Sequence, residues 1–370
     1  MKIKDVIKQI ERLTPPNLAQ GWDNTGLLVG SGNERVKNIL LAIDITKAVL
    51  SEAKKLKAEM IISYHPVIWD GLKNITDRGD GNIVYELIKA GIAVYSMHTS
   101  LDVVAGGVND GLAEMVGIVD AKPIGDYVQD DTRDNYKLVV FVPVGATDKV
   151  TNAIFAAGAG WIGNYSNCGF RTAGKGSFLP RDGARPTIGK KGKIETVEEI
   201  RFECIVPSGK LDCVLAALKK AHPYEEPAFD VFKLYNPQDR IGLGRIGKLA
   251  KAATVKEIIA KVKRATGAKA VGIVGKSQRT VKSAAVCAGS CGKIINLIIA
   301  QCADLYVTGE LKHHQAIAAQ EAGMTCLCLS HSVSERFILK KLAKVLQNQA
   351  KEVKISVSKK DADPFVWKEI

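Results

Sequence analysis

The chain has 370 residues, 46 % of them apolar, 25 % charged and 6 % aromatic. At about 100–200 residues per domain this length implies two or three domains, and the balance excludes a disordered, collagen-like or coiled-coil polypeptide. No apolar run approaches the roughly 18 residues needed to span a bilayer, so no membrane association is expected. The formal charge of +13 points at first to nucleic acid, but its distribution weakens that reading: the net charge is −2 over residues 1–120, +3 over 121–245 and +12 over 246–370. In the last third no aromatic residues are interleaved with Lys261, Lys263, Arg264, Lys269, Lys276, Arg279 and Lys282, so a solvated basic face is preferred to a nucleic-acid platform.

The N-terminal stretch carries acids and no apolar signal core, and it reads as a helix with Ile3, Val6, Ile7, Ile10 and Leu13 on one face. Residues 39–44, 60–64 and 92–97 are strand-like, with helical patterns over 47–57 and 82–91, an alternation that predicts a mostly parallel βαβ sheet. The same grammar returns later: helices over 255–266, 294–301, 310–322 and from about 333, and strands over 270–274, 284–288, 304–308 and 326–329. Between these lobes, strands at 136–143 and 199–207 are each followed by a helical stretch (147–157 and 211–221), while Gly and Pro crowd residues 158–192. A repeated strand-helix-strand unit suggests a small ferredoxin-like module. The expected fold is α/β, two similar βαβ lobes forming one host domain interrupted by an α+β insert, with boundaries at 1–125, 126–240 and 241–370.

The eight cysteines show no paired CxxC and several lie in apolar runs, which reads as reduced buried thiols of a cytoplasmic protein. Residues 242–247 satisfy GxGxxG literally, yet Lys248-Leu249-Ala250 continue as a strand, so a strand entering the second lobe is expected there, not a dinucleotide loop. Neither a phosphate-binding GxxxxGK[ST] loop nor GxSxG nor HExxH is present.

In open α/β sheets, ligands collect beyond the carboxyl ends of the strands. Here strands run into His65, into His98 with Asp102 four residues on, into Glu310, and into His331 with Glu335 four residues on. Three of only six histidines share this position, and His313 and His314 follow Glu310 closely. At i and i+4 on a helix, His331 and Glu335 could converge on one ion, and the two oxygens of Asp102 could bridge two. A nitrogen and oxygen ligand set suits zinc, iron, manganese or nickel. Two such ions roughly 3.5–4 Å apart would activate water at neutral pH, which is hydrolase chemistry.

The stretches Gly21-Trp22-Asp23-Asn24-Thr25-Gly26-Leu27-Leu28-Val29-Gly30, Ser63-Tyr64-His65-Pro66, His98-Thr99-Ser100-Leu101-Asp102, Thr308-Gly309-Glu310 and His331-Ser332-Val333-Ser334-Glu335 together resemble the GTP cyclohydrolase I type 2 family, also known as the Ngg-interacting-factor-like proteins. In the middle, residues 158–165 and His222-Pro223-Tyr224-Glu225-Glu226-Pro227 are similar to the CutA/PII-like insert of bacterial members. His222, Glu225 and Glu226 could hold a metal or ligand of their own, although a structural turn is preferred. The resemblance implies two divalent metal ions on His65, Asp102, His331 and Glu335; Glu310, which directly follows a strand, His98 and His314 are the candidates for catalysis or proton transfer beside them. It implies a homohexamer and a small-molecule substrate, GTP or another nucleotide. Tyr64 stands where many bacterial members carry a histidine, and a phenol with an ordinary pKa of about 10 is a poor ligand. The alternative is a non-catalytic metal-binding regulatory or scaffold protein whose insert senses a small molecule or binds a partner.

Overall fold

A computed structural model describes residues 1–124, 135–162, 165–234 and 241–366, apart from the side chain of Lys293. The inferred junctions near 125 and 240, and Gly163 and Asn164 of the 158–165 motif, lie outside the described residues. The chain forms two compact units, Met1–Tyr127 with Gln238–Ile370, and Val128–Pro237.

The larger unit holds two sheets. In the five-stranded sheet the order is Gly26–Val29, Ala93–Ser96, Met60–Ser63, Asn38–Ala42, Lys354–Val357, with the first strand antiparallel and the other four parallel. In the six-stranded sheet the order is Gly272–Val274, Thr325–Cys328, Leu305–Thr308, Thr280–Cys287, Arg245–Thr254, Ile118–Lys122. Its parallel trio, Thr280–Cys287, Leu305–Thr308 and Thr325–Cys328, is flanked by antiparallel strands. Met60–Ser63, Ala93–Ser96 and Leu305–Thr308 are buried at every position, as parallel strands covered on both faces must be.

The two halves of this unit exchange edges. Ile118–Lys122, from the first third of the chain, closes the second sheet against Arg245–Thr254, and Lys354–Val357, near the C-terminus, closes the first sheet against Asn38–Ala42. One apolar core joins Ile39, Leu41 and Ile62 of the first sheet to Val286, Val307 and Leu327 of the second. The helix Val255–Thr266 buries Val255, Ile258 and Val262 in it. Thr254 and Glu257 start that helix with a capping box, and Gly267, at φ +75°, ends it in the left-handed conformation.

The glycines of 242–247 serve packing. Gly244 sits at φ +62°, and a Cβ there would lie 2.4 Å from Ile124 Cδ1 and 2.7 Å from the Val286 carbonyl oxygen; the motif opens the strand Arg245–Thr254. The helix expected from 310 starts instead at His313, where Gln315 bonds back to the Lys312 amide, leaving Glu310 in the preceding loop.

In the smaller unit the elements run Asn135–Pro143, helix Thr147–Ala156, Gly169–Phe178, Glu195–Pro207, helix Leu211–Ala221, Phe229–Leu234. They form an antiparallel sheet ordered Gly169–Phe178, Glu195–Pro207, Asn135–Pro143, Phe229–Leu234. Val140, Val142, Ile154, Phe202, Val214 and Leu218 fill its own core.

Candidate metal centre

The carboxyl ends of the parallel strands carry the polar groups. Asp44, His65 and His98 follow strands of the first sheet, and Gly289, Glu310 and His331 follow strands of the second. His65 and His331 approach with ring centroids 5.4 Å apart, so strands of both sheets deliver groups to one site. Buried Asn109 fixes the loops, donating to the Asp102 carbonyl at 2.8 Å and accepting from the Ala288 amide at 2.8 Å.

Of the four residues expected to ligate metal, three converge. His65, His331 and Glu335 offer atoms that all lie within 4.8 Å of one another. Nε2 of His65 is 3.5 Å from Glu335 Oε2, and Nε2 of His331 is 3.3 Å from Glu335 Oε1. Ligands at about 2.0–2.2 Å from one tetrahedral ion stand about 3.3–3.6 Å apart, so these spacings suit a shared ion. The fit has an independent sign: Glu335 is 3 % exposed. A buried carboxylate needs a positive partner, which the His65 imidazole 3.5 Å away supplies in the metal-free state and a shared ion would supply in its place.

The imidazoles are prepared for ligation in one way. Nδ1 of His65 bonds Asp44 at 2.9 Å, Nδ1 of His98 bonds Asp23 at 2.6 Å, and Nδ1 of His331 bonds Glu310 at 3.0 Å. Each carboxylate fixes a ring and its tautomer and leaves Nε2 as the remaining nitrogen, the arrangement found behind metal-binding histidines. Without an ion, burial opposes the His65 charge, but the carboxylates of Asp44 and Glu335 outweigh it and raise the imidazole to about 10. Asp23 and Asp44 stay below the usual carboxylate range: burial works against this, and hydrogen bonds and charge from His98 and His65 prevail.

Asp102, the fourth expected ligand, accepts a hydrogen bond from the Tyr64 hydroxyl. Burial, reinforced by the charge of Glu335 and opposed by that hydrogen bond, pushes its carboxyl up to about 6. Burial and the Asp102 charge hold the Tyr64 phenol well above its ordinary pKa, so it is a donor to Asp102. Of the proton-transfer candidates, His98 is buried 5.2 Å, ring to ring, from His65; Glu310 supports His331; and His314 is exposed at the start of its helix with its ring against His313.

Several contributors are not apparent from spacing. Asp44 ends its strand just as His65 does, which is a signal available in sequence, whereas the role of Asp23 depends on a partner 75 positions away. Gly289, at φ +67°, brings backbone against the site: a Cβ would lie 2.5 Å from Glu335 Oε1. Two exposed tryptophans stand beside the imidazoles, Trp69 5.2 Å from His98 and 5.8 Å from His65, and Trp22 5.8 Å from His98. His98 itself, at φ +26°, and Ser330, at φ +79°, hold backbone conformations that cost non-glycine residues energy and that concentrate at functional sites.

Fold and site together define an α/β protein with carboxylate-backed histidines where two sheets meet, a candidate metal-binding architecture. The Duf34/NIF3 (NGG1p interacting factor 3) family model matches residues 1–364, and the chain belongs to that family. It is 38 % identical over 366 residues to a GTP cyclohydrolase 1 type 2 homolog of Halalkalibacterium halodurans, covering 98 % of each chain. The Bacillus subtilis protein of the same description is 36 % identical, again over 98 % of each. Among solved structures, a Bacillus cereus protein related to NIF3 is similar at TM-score 0.75 and 37 % identity, and a Staphylococcus aureus protein at 0.83 and 27 %; both matches cover 99 % of each chain.

Proposed function

We propose that this protein is a divalent-metal-dependent hydrolase acting on a nucleotide or another heterocycle, with GTP as the first candidate substrate. The observation that carries the reading is the buried Glu335 carboxylate, with Oε2 3.5 Å from His65 Nε2 and Oε1 3.3 Å from His331 Nε2. Those three residues hold one ion in this reading, and His98 with Asp102 hold a second. Bound ions would lower the pKa of water and polarise the bond under attack. Asp44, Asp23 and Glu310 orient the imidazoles, and Glu310, 52 % exposed at its side chain, is the best placed to exchange a proton with substrate. His314 would take part only if substrate reached beyond the imidazoles. Trp22 and Trp69 give a flat ring two faces to stack on, which favours a heterocycle over an aliphatic substrate. The names of the relatives point the same way. By the same resemblance we propose a homohexamer and read the Val128–Pro237 unit as a ferredoxin-like, CutA/PII-like insert.

Turnover of GTP and a nucleotide panel by the metal-loaded chain tests this. Asp102→Asn should abolish measurable turnover, and Trp69→Ala should raise KM about tenfold with little change in kcat, since stacking a base is worth roughly 1–3 kcal/mol. Equal, negligible turnover by wild type and Asp102→Asn would favour a non-catalytic metal-binding scaffold. That second reading draws on Tyr64, whose hydrogen bond occupies an oxygen of Asp102. Accordingly, elemental analysis should find about one tightly held ion per chain in the wild type and about two in Tyr64→His; equal content in both would refute the inhibitory role of the phenol.

A further inference from the structure

The smaller unit contains a cavity of about 420 Å³, within the roughly 300–1,000 Å³ of small-molecule sites. Its walls are mainly apolar, from Phe141, Phe178, Leu179, Pro180, Ile188 and Ala228. One wall is the segment after the strand Gly169–Phe178, and another is the turn at 223–226. Two hydrogen bonds hold them together, Arg185 N to Glu225 Oε2 at 2.9 Å and Thr187 Oγ1 to the Pro223 carbonyl at 2.8 Å.

The charged groups in the lining are three glutamates and one arginine. Glu199 is 8 % exposed, and among the described residues no cation pairs with it. Gly176 makes room for it, because a Cβ there would stand 2.1 Å from Glu199 Oε2. The Tyr224 hydroxyl is buried in the same lining beside Glu199, and burial together with that carboxylate pushes the phenol up. Glu225 and Glu226 add negative charge against the single Arg185. His222 is already committed: Nε2 donates to the Phe141 carbonyl at 3.0 Å and Nδ1 accepts from the Tyr224 amide at 3.1 Å, so it is a structural residue and not a metal ligand.

We propose that this cavity binds a small organic cation, a flat apolar amine or amidine whose N–H groups meet the Glu199 carboxylate. A buried carboxylate in an apolar wall rewards a charged donor and rejects an anion of the same shape. The site is separate in sequence and in unit from the histidine cluster, so the proposal stands or falls independently of the hydrolase reading.

Benzamidine is a suitable probe, with benzoate as its anionic counterpart, titrated calorimetrically into the full-length chain while the Ile188 methyl resonance is followed. Benzamidine should bind and shift Ile188, and benzoate should do neither. Glu199→Gln should weaken benzamidine at least tenfold. Gly176→Ala, which keeps the charge but displaces the carboxylate, should also weaken it, with melting temperatures of both variants confirming the fold. Equal binding of benzamidine and benzoate, no binding of either, or unchanged affinity in a folded Glu199→Gln chain would overturn the proposal.

Discussion

Replacing Glu335 with Gln is expected to lower affinity for a divalent transition ion by at least two orders of magnitude and to make the metal-free protein less stable. The two parts have one cause. Glu335 is the only carboxylate in the group of three metal-competent side chains, and both of its oxygens face an imidazole Nε2. Without an ion, the carboxylate lies buried opposite the His65 imidazole and helps to hold it charged, so it anchors the metal-free ion pair as well as a bound ion. An amide of the same shape removes the charge, so the metal-free fold loses its ion pair with His65 and a bound ion loses its anionic ligand. Asp44→Asn acts one step away, through the 2.9 Å bond to His65 Nδ1, and should cost about 10–100-fold in affinity. Competition with a chromophoric chelator measures both affinities, and thermal unfolding with and without metal measures the stability difference. A Glu335→Gln chain that retains wild-type affinity would show that this buried network is a set of ion pairs with no metal role.

Which parts of this architecture can be read from sequence follows from burial. Strands such as Met60–Ser63 and Leu305–Thr308 are enclosed on both faces and therefore appear as continuous apolar runs. The strands that escape detection are edges or exposed ribbons. Gly169–Phe178 is largely exposed and holds three glycines, so neither apolarity nor β-propensity marks it. Ile118–Lys122 and Lys354–Val357 are specified by partners more than a hundred residues away, which no local pattern encodes. The site divides in the same manner. Strand-end histidines are visible because position in an α/β sheet implies a role, whereas the Asp23–His98 and Tyr64–Asp102 bonds, spanning 75 and 38 positions, exist only once the strands are aligned. Glu310 is intermediate: its place after a strand marks it as functional, but its work in the structure is to hold His331.

Asp110→Ala is expected to destabilise the larger unit by about 3–5 kcal/mol, because it would take a bidentate carboxylate away from a buried guanidinium. Arg245 is 1 % exposed. Its Nε and Nη2 meet Asp110 Oδ1 and Oδ2 at 2.6 and 3.0 Å, a bidentate pair, and Nη1 donates to the carbonyls of Gly242 and Gly244 at 2.7 Å each. Nη2 also reaches the Val103 and Val104 carbonyls at 3.4 and 3.3 Å. Asp110 belongs to the helix Val108–Val116 and Arg245 begins the strand Arg245–Thr254, so the pair ties the first third of the chain to the last. It also anchors the segment that follows Asp102, and through Asn109 that helix supports both the Asp102 and Gly289 loops. Arg245→Met should be severe for a different reason: it deletes the charge but strands the carbonyls that the guanidinium satisfies. The double variant should be less damaged than the sum of the two, since each single change already destroys the shared pair. Urea unfolding of the three variants, with metal affinity recorded alongside, checks this. A loss below about 0.5 kcal/mol in Asp110→Ala, the range of an ordinary surface substitution, would contradict the argument that the pair secures the two halves of the site.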